Sequence, residues 1–113
     1  MKKIIVSLLC SAVSFGAHAA GNIDAGKALS DKYSCAACHG KDLGSPIDPS
    51  YPKLAGQHKD YLEHALITYQ RGDGANGRNN PIMGGVVKPL SSQDMKDLAA
   101  YLHSLPTTLL IRR

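Results

Sequence analysis

Five consecutive residues, Cys35-Ala36-Ala37-Cys38-His39, constrain this chain more than any other stretch. In a helical turn the two thiols stand on one face, because positions i and i+3 are neighbours there. The imidazole follows at once, four residues from Cys35, and so lies close to the same face. Two sulfurs and a ring nitrogen presented together match the attachment signature of a c-type haem. The thiols can bond to the two vinyl groups on one edge of the porphyrin, with the histidine beneath the ring and a nitrogen aimed at iron. A bare C-x-x-C has other uses. A thioredoxin-like redox pair needs a strand-to-helix setting, which the Gly/Pro-rich surroundings do not offer. A structural zinc site would want a second pair of ligands, and the sequence has no second C-x-x-C.

Composition is informative only once the N-terminus is set aside. Residues 1–20 read as a secretory leader, with Lys2 and Lys3 as a basic start, an apolar run from Ile4 through Phe15, and Ala17-His18-Ala19 as an A-x-A cleavage signature. Ala20 or Gly21 is then the first mature residue. The run is short and broken by Ser and Gly, which makes a poor membrane span; retention as a signal anchor is the alternative. Cys10 lies inside the leader behind Leu8-Leu9, not behind the small residue that a lipid-attachment site needs. Export therefore leaves Cys35 and Cys38 as the only thiols, which suits an oxidising compartment such as the periplasm. The formal charge of +4 also changes, because eleven basic and nine acidic side chains remain, net +2. Two haem propionates would bring the holoprotein near neutrality, so a nucleic-acid-binding role has no electrostatic footprint. Loss of Phe15 leaves no Phe and no Trp, only five Tyr. A domain of about ninety residues has a marginal core and often needs a staple. A haem would be that staple, a flat apolar body for Leu, Ile, Val and Tyr to pack on.

The periodicity predicts an all-α domain over 21–106 and a tail over 107–113. Residues 22–32 read as a helix capped by Asn22 or Asp24, with Ile23, Ala25, Ala28 and Leu29 as a partial apolar stripe. Gly26 interrupts it at some cost, which points to a close helix contact. Residues 40–56 form a loop, because Pro46, Pro49 and Pro52 exclude a helix. A second helix over 58–71 places Tyr61, Leu62, Ala65, Leu66 and Tyr69 on one broad face, and Gly72 is set to end it. A Gly- and Asn-rich turn region over 72–81 follows, then an irregular segment, Pro81-Ile82-Met83-Gly84-Gly85-Val86. Ser91 or Ser92 caps a last helix supported by Asp94, with Met95, Leu98, Ala99, Leu102 and Leu105 as its apolar stripe. The tail carries an apolar cluster, Leu109-Leu110-Ile111, with no assigned role.

With its haem motif and three helices, the chain resembles the class I cytochromes c over roughly 21–105, and in particular the small monohaem bacterial type similar to cytochromes c4 and c553. The resemblance implies the cytochrome c fold, three main helices and Gly/Pro-rich loops wrapped around one haem c per chain, bonded through Cys35 and Cys38. Small residues such as Gly26 would let the first helix cross the last near Leu98 and Tyr101. Within Tyr51-Pro52-Lys53-Leu54-Ala55-Gly56-Gln57, which resembles the loop after the haem motif in those proteins, the Pro52 carbonyl would accept a hydrogen bond from His39 and fix its ring. Arg78 matches a basic residue that neighbours the haem propionates, although the connection around Gly74-Ala75-Asn76-Gly77 looks longer than usual.

Two mature methionines compete for the second axial position. Met95 sits on a helical apolar stripe, where a thioether is ordinarily core filler. Met83 follows a proline and precedes two glycines, 44 residues beyond His39, and class I cytochromes c place their distal methionine in such a loop. His58, His64 and His103 read as surface or rim residues. The expected iron ligands are thus His39 and Met83, a pair that raises the reduction potential and leaves no vacancy for substrate. That implies a single-electron carrier between respiratory complexes rather than an enzyme, with redox proteins as partners. It also implies a monomer with no stable membrane insertion after cleavage, docking through a patch that includes Ala36, Ala37, Gly84, Gly85 and Val86. The alternatives are a haem c subunit bound permanently to a dehydrogenase or oxidase, and a peroxidase or gas-binding protein if the methionine is labile.

Overall fold

The computed structural model describes residues 20–107, so the expected leader up to residue 19 and the Leu109-Leu110-Ile111 cluster lie outside the described residues. Five helices follow in order: α1 (Ile23–Lys32), α2 (Cys35–His39), α3 (Lys59–Arg71), α4 (Pro81–Val87) and α5 (Ser92–Ser104). There is no strand among the described residues, so the fold is all-α with three long helices. Among the same residues no helix is long and apolar enough to cross a membrane.

The frame is the crossing of α1 with α5. Asn22 caps α1 by accepting from the Ala25 N–H at 2.9 Å, and its own N–H donates to Asp97 Oδ1 on α5 at 2.7 Å. At the crossing Gly26 is buried, and a Cβ there would run into the Asp97 carbonyl and the Tyr101 Cβ. The expected stripe is the packing face only in part, through Leu29. Ile23 is 49 % exposed and Ala28 is exposed, whereas Gly26 and Ser30 are buried and Leu29 is half-buried. Helix surfaces in such close approach select small residues over hydrophobic ones, because side-chain bulk sets the distance between axes.

α3 starts after His58 and stops at Gly72, whose φ of 56° turns the chain out of the helix. It packs on both α5 and α4. Gln70 reaches across from α3: its Nε2 donates to the carbonyls of Val87 at 3.1 Å and Leu90 at 2.8 Å. Val87 is the last residue of α4, where carbonyls lack an intrahelical partner, and Leu90 lies in the link to α5.

The segment expected to be irregular after Pro81 is helix α4. Asn80 caps it, accepting from the N–H groups of Ile82 and Met83 at 3.0 Å each. Pro81 stands at the first helical position, where its missing N–H costs nothing and its fixed φ suits a helix. This local capping outweighs the poor helix propensity of Gly84 and Gly85. α5 opens on a capping box, with the Ser91 hydroxyl accepting from Asp94 N–H at 3.1 Å and the Asp94 carboxylate accepting from Ser91 N–H at 2.9 Å.

The apolar interior is divided. One cluster joins Leu43, Ala55, Leu62, Ala99 and Leu102. The other joins Val87, Leu90, Met95 and Leu98, with Leu29, Tyr33, Leu66, Tyr69 and Met83 against it. Met95 is core filler, as its place on α5 indicates.

Candidate functional site

A cavity of about 390 Å³ lies between the two clusters, lined by Leu62 and Leu102 of one and Val87, Leu90 and Leu98 of the other. Cys35, Cys38, His39, Pro52, Arg78 and Met83 all line it as well, so the structure brings together every site residue expected from the sequence. They come from three separate stretches. α2 carries the thiols and the imidazole, the loop before α3 carries Pro52, and the stretch from Arg78 into α4 carries the rest. α2 and α4 make no direct backbone contact with each other yet line the same space, which therefore separates them.

α2 leaves α1 through a strained turn. Ser34, immediately before it, adopts φ 54° and ψ 40°, a left-handed turn that redirects the chain from α1 into the C-x-x-C-H helix. A non-glycine residue holds that conformation at a cost of about 1–2 kcal/mol. At the far end Gly40 takes φ 92°, and a Cβ there would meet the Ser45 carbonyl. Both thiols are half-buried and free. Burial pushes the Cys35 thiol up, partly offset by a hydrogen bond with Ser30.

His39 is buried, and its Nδ1 lies 2.8 Å from the Pro52 carbonyl oxygen. A carbonyl only accepts, so Nδ1 carries the proton and a neutral ring keeps Nε2 as a bare lone pair. Among the described residues no buried side-chain nitrogen or oxygen is left without a partner. A backbone carbonyl behind a histidine fixes the ring's tautomer and direction and raises its basicity, the usual outer support of a metal-binding imidazole. The loop that supplies this carbonyl is itself pinned. Leu43, buried and at φ 56°, accepts through its carbonyl from Leu54 N–H at 2.8 Å and Ala55 N–H at 2.9 Å.

Arg78 enters through the turn region. Its N–H donates to the Thr68 carbonyl at 2.8 Å. The short turns that close Gly74 onto Arg71 and Gly77 onto Gly74 take up the extra residues before it. Its guanidinium carbon lies 5.8 Å from the centre of the Tyr61 ring and 5.4 Å from that of Tyr69. Lys53 is the other basic lining residue besides His39, and no Asp or Glu lines the cavity. Tyr61, Tyr69 and Lys53 were not legible as site residues: the tyrosines read as one apolar face of α3, and Lys53 as a loop residue. Asn80, which sets Met83 in position, had a signal in the Asn-Pro pair, a cap followed by proline. His58 and His103 do not line the cavity; their rings are 6.4 Å apart, and His103 Nδ1 donates to the Gln57 carbonyl at 2.7 Å. His64 is exposed and away from it.

The lining fits a c-type haem by its chemistry. It offers an apolar slot between two half-cores, two thiols at the attachment spacing, an oriented imidazole, a thioether, and two cations unopposed by carboxylates for a group that carries two propionates. The Cytochrome c family profile matches residues 23–106. The chain is 44 % identical over 110 residues to cytochrome c4 of Stutzerimonas stutzeri, covering 92 % of this chain and 51 % of that protein. It is 41 % identical over 71 residues to cytochrome c-554(548) of Halomonas halodenitrificans, covering 63 % of this chain and 83 % of the other. Its fold is similar to the crystal structure of reduced recombinant cytochrome c4 from Pseudomonas stutzeri, with a TM-score of 0.68 and 38 % identity over 80 % of this chain and 48 % of that one. The chain thus spans about half the length of the cytochrome c4 proteins it matches. The attachment pentad, the helical frame and the family match all fall within one stretch, and the chain belongs to the cytochrome c family.

Proposed function

We propose that this chain is an exported single-electron carrier with one haem, bonded through Cys35 and Cys38 and ligated by His39 and Met83. A haem held there supplies a one-electron iron couple at no cost in covalent rearrangement. The observation that carries the reading is the Nδ1 contact between His39 and the Pro52 carbonyl, because it turns an imidazole that follows two cavity-lining thiols into an oriented, basic ligand. Met83, half-buried on α4, offers a soft sulfur to the same space, and Asn80 fixes its backbone. Two protein ligands would leave no position for substrate, which favours electron transfer over catalysis. Lys53 and Arg78 would balance the propionates.

Export to the periplasm follows from the leader read in residues 1–20 and from a domain whose two thiols are committed to the cofactor. The partners are redox proteins that donate and accept single electrons, and the carrier acts as a monomer. A protein described as thiosulfate dehydrogenase electron acceptor, from Thiomonas intermedia, is 44 % identical over 73 residues, or 64 % of this chain and 31 % of its own length, which supports a dehydrogenase as one class of donor. Docking would use the small residues beside the cavity. Ala37 and Gly85 are exposed, and Ala36, Gly84 and Val86 are half-buried.

The test is an optical spectrum of protein matured in a haem-attaching periplasm, oxidised and reduced, beside Met83→Ala. A c-type spectrum with an iron–sulfur charge-transfer band that disappears in the variant is the expected result. A high-spin spectrum in the unmutated protein would overturn the Met83 assignment and reopen the peroxide and gas-binding readings.

A further inference from the structure

We propose that the ring faces of Tyr61 and Tyr69 form a clamp that holds the Arg78 guanidinium toward the carboxylate side of the haem, making the two tyrosines positioning residues for the cofactor's charge. The inference rests on the haem reading above and deepens it. Tyr61 and Tyr69 both come from α3, and both line the cavity together with Arg78. The guanidinium carbon sits within 6 Å of both ring centres, at 5.8 and 5.4 Å, the range in which a cation is drawn to an aromatic face. The backbone end is fixed too, since Arg78 N–H donates to the carbonyl of buried Thr68 on the same helix. One helix therefore holds both ends of the arginine. Polar contacts with the phenols, that of Tyr61 foremost, raise the Arg78 pKa despite burial. Each tyrosine thus offers the guanidinium a ring face as well as a phenol oxygen.

What the clamp does follows from charge. A flexible arginine at the rim would pair with solvent and lose its effect through screening. Held at the cavity wall, its planar fork presents donors to a carboxylate in a fixed direction. An oriented opposite charge keeps that carboxylate ionised to lower pH. Apart from the thiols and His39, the titratable lining consists of Lys53, Arg78, Tyr33, Tyr51, Tyr61 and Tyr69. The clamp acts on the pH dependence of the potential through the haem's own carboxylates: as they ionise with rising pH, ferric iron is favoured and the potential falls.

The experiment measures reduction potential against pH for the holoprotein and for Tyr61→Leu/Tyr69→Leu, Tyr61→Phe/Tyr69→Phe, Arg78→Gln, and Arg78→Gln combined with the leucine pair. In the leucine pair the inflection should move to higher pH by roughly one unit. The phenylalanine pair, which keeps both rings, should stay near the parent. Arg78→Gln should shift at least as far, and adding the leucines to it should change nothing more, because residues acting through one partner are not additive. The clamp is overturned by an unmoved inflection in the leucine pair, by phenylalanines that shift as far as leucines, or by leucines that still act when Arg78 is gone. Unmutated protein without a covalently bound haem would overturn the haem reading with it. A normal c-type spectrum with an unmoved inflection overturns the clamp alone.

Discussion

At Gly26 one hydrogen in place of a methyl group decides whether α1 and α5 can cross. The Asp97 carbonyl and the Tyr101 Cβ occupy the space a side chain would need, and both belong to a helix that cannot give way locally. Gly26→Ala should therefore destabilise the holoprotein by about 1–3 kcal/mol, the usual cost of overpacking, despite alanine's better helix propensity; a denaturant titration with unchanged midpoint would refute the crossing argument. Asp42 shows the opposite economy, a small effect with a clear sign. Its carboxylate accepts from the N–H groups of Gly44 at 2.9 Å and Ser45 at 2.7 Å and from the Ser45 hydroxyl at 2.9 Å. These bonds, that from Gly44 foremost, hold its pKa below the usual carboxylate value. A depressed folded-state pKa stabilises above the unfolded value and loses that contribution as pH falls through the folded one. Asp42→Asn should thus flatten the acid limb of a stability–pH curve below about pH 4 and leave neutral pH little changed; an unaltered acid limb would deny the loop its pH sensitivity. Gly26 was legible as a costly interruption of a helix, and the thiols, His39 and Met83 as ligand types at telling spacings. Asp97 was not legible, because its use depends on Asn22, 75 residues away, and nothing local marks it.

Among the elements, α4 is the one whose sequence pattern misleads. Two adjacent glycines after a proline read as a turn, yet one asparagine cap and a proline at the first helical position suffice for seven residues of helix. Met83 lies in the first turn of this helix, so the cap that starts α4 also sets where the sulfur starts. Asn80→Ala should cost about 1 kcal/mol, and the loss should fall on the ligand rather than on the α1–α5 frame, since the backbone of α4 runs close to that of α3 but not to those of α1 and α5. The measurement is the iron–sulfur charge-transfer band followed through a thermal melt beside far-UV ellipticity. In the variant the band should vanish several degrees before the helix signal, and simultaneous loss of both would show that α4 and the frame melt as one unit. Helices α3 and α5 were readable because their apolar positions recur at helical spacing over thirteen residues each. α1 was readable in extent but only in part in face, through Gly26 and Leu29, since its contact with α5 is chosen by size.

For the molecule as a whole, the sequence's shortage of large aromatic groups and the structure's divided core describe the same deficit. Leu62 and Leu102 face the cavity from one cluster, Leu90 and Leu98 from the other, and the space between them amounts to about 390 Å³. The need for a cofactor was legible in composition and its attachment point in the pentad from Cys35 to His39; the apolar wall beyond it was not, because the loop that carries Leu43 and Ala55 has no periodicity to read. A cavity of that size in a small domain is costly at about 24 cal/mol per Å³ when left dry and uncollapsed, which at this volume is on the order of 9 kcal/mol and comparable to a whole domain's stability. The chain without haem should therefore relax until the cavity is gone. Cys35→Ser/Cys38→Ser, made without haem, should lose much of its far-UV helical signal and show no cooperative urea transition. Haem added to that variant should restore part of the helix without covalent attachment, because His39, Met83 and both half-cores remain. A cooperative, native-like melt of the haem-free variant would mean instead that the α1–α5 crossing and the capped helices sustain the fold alone, with haem a passenger in a preformed slot.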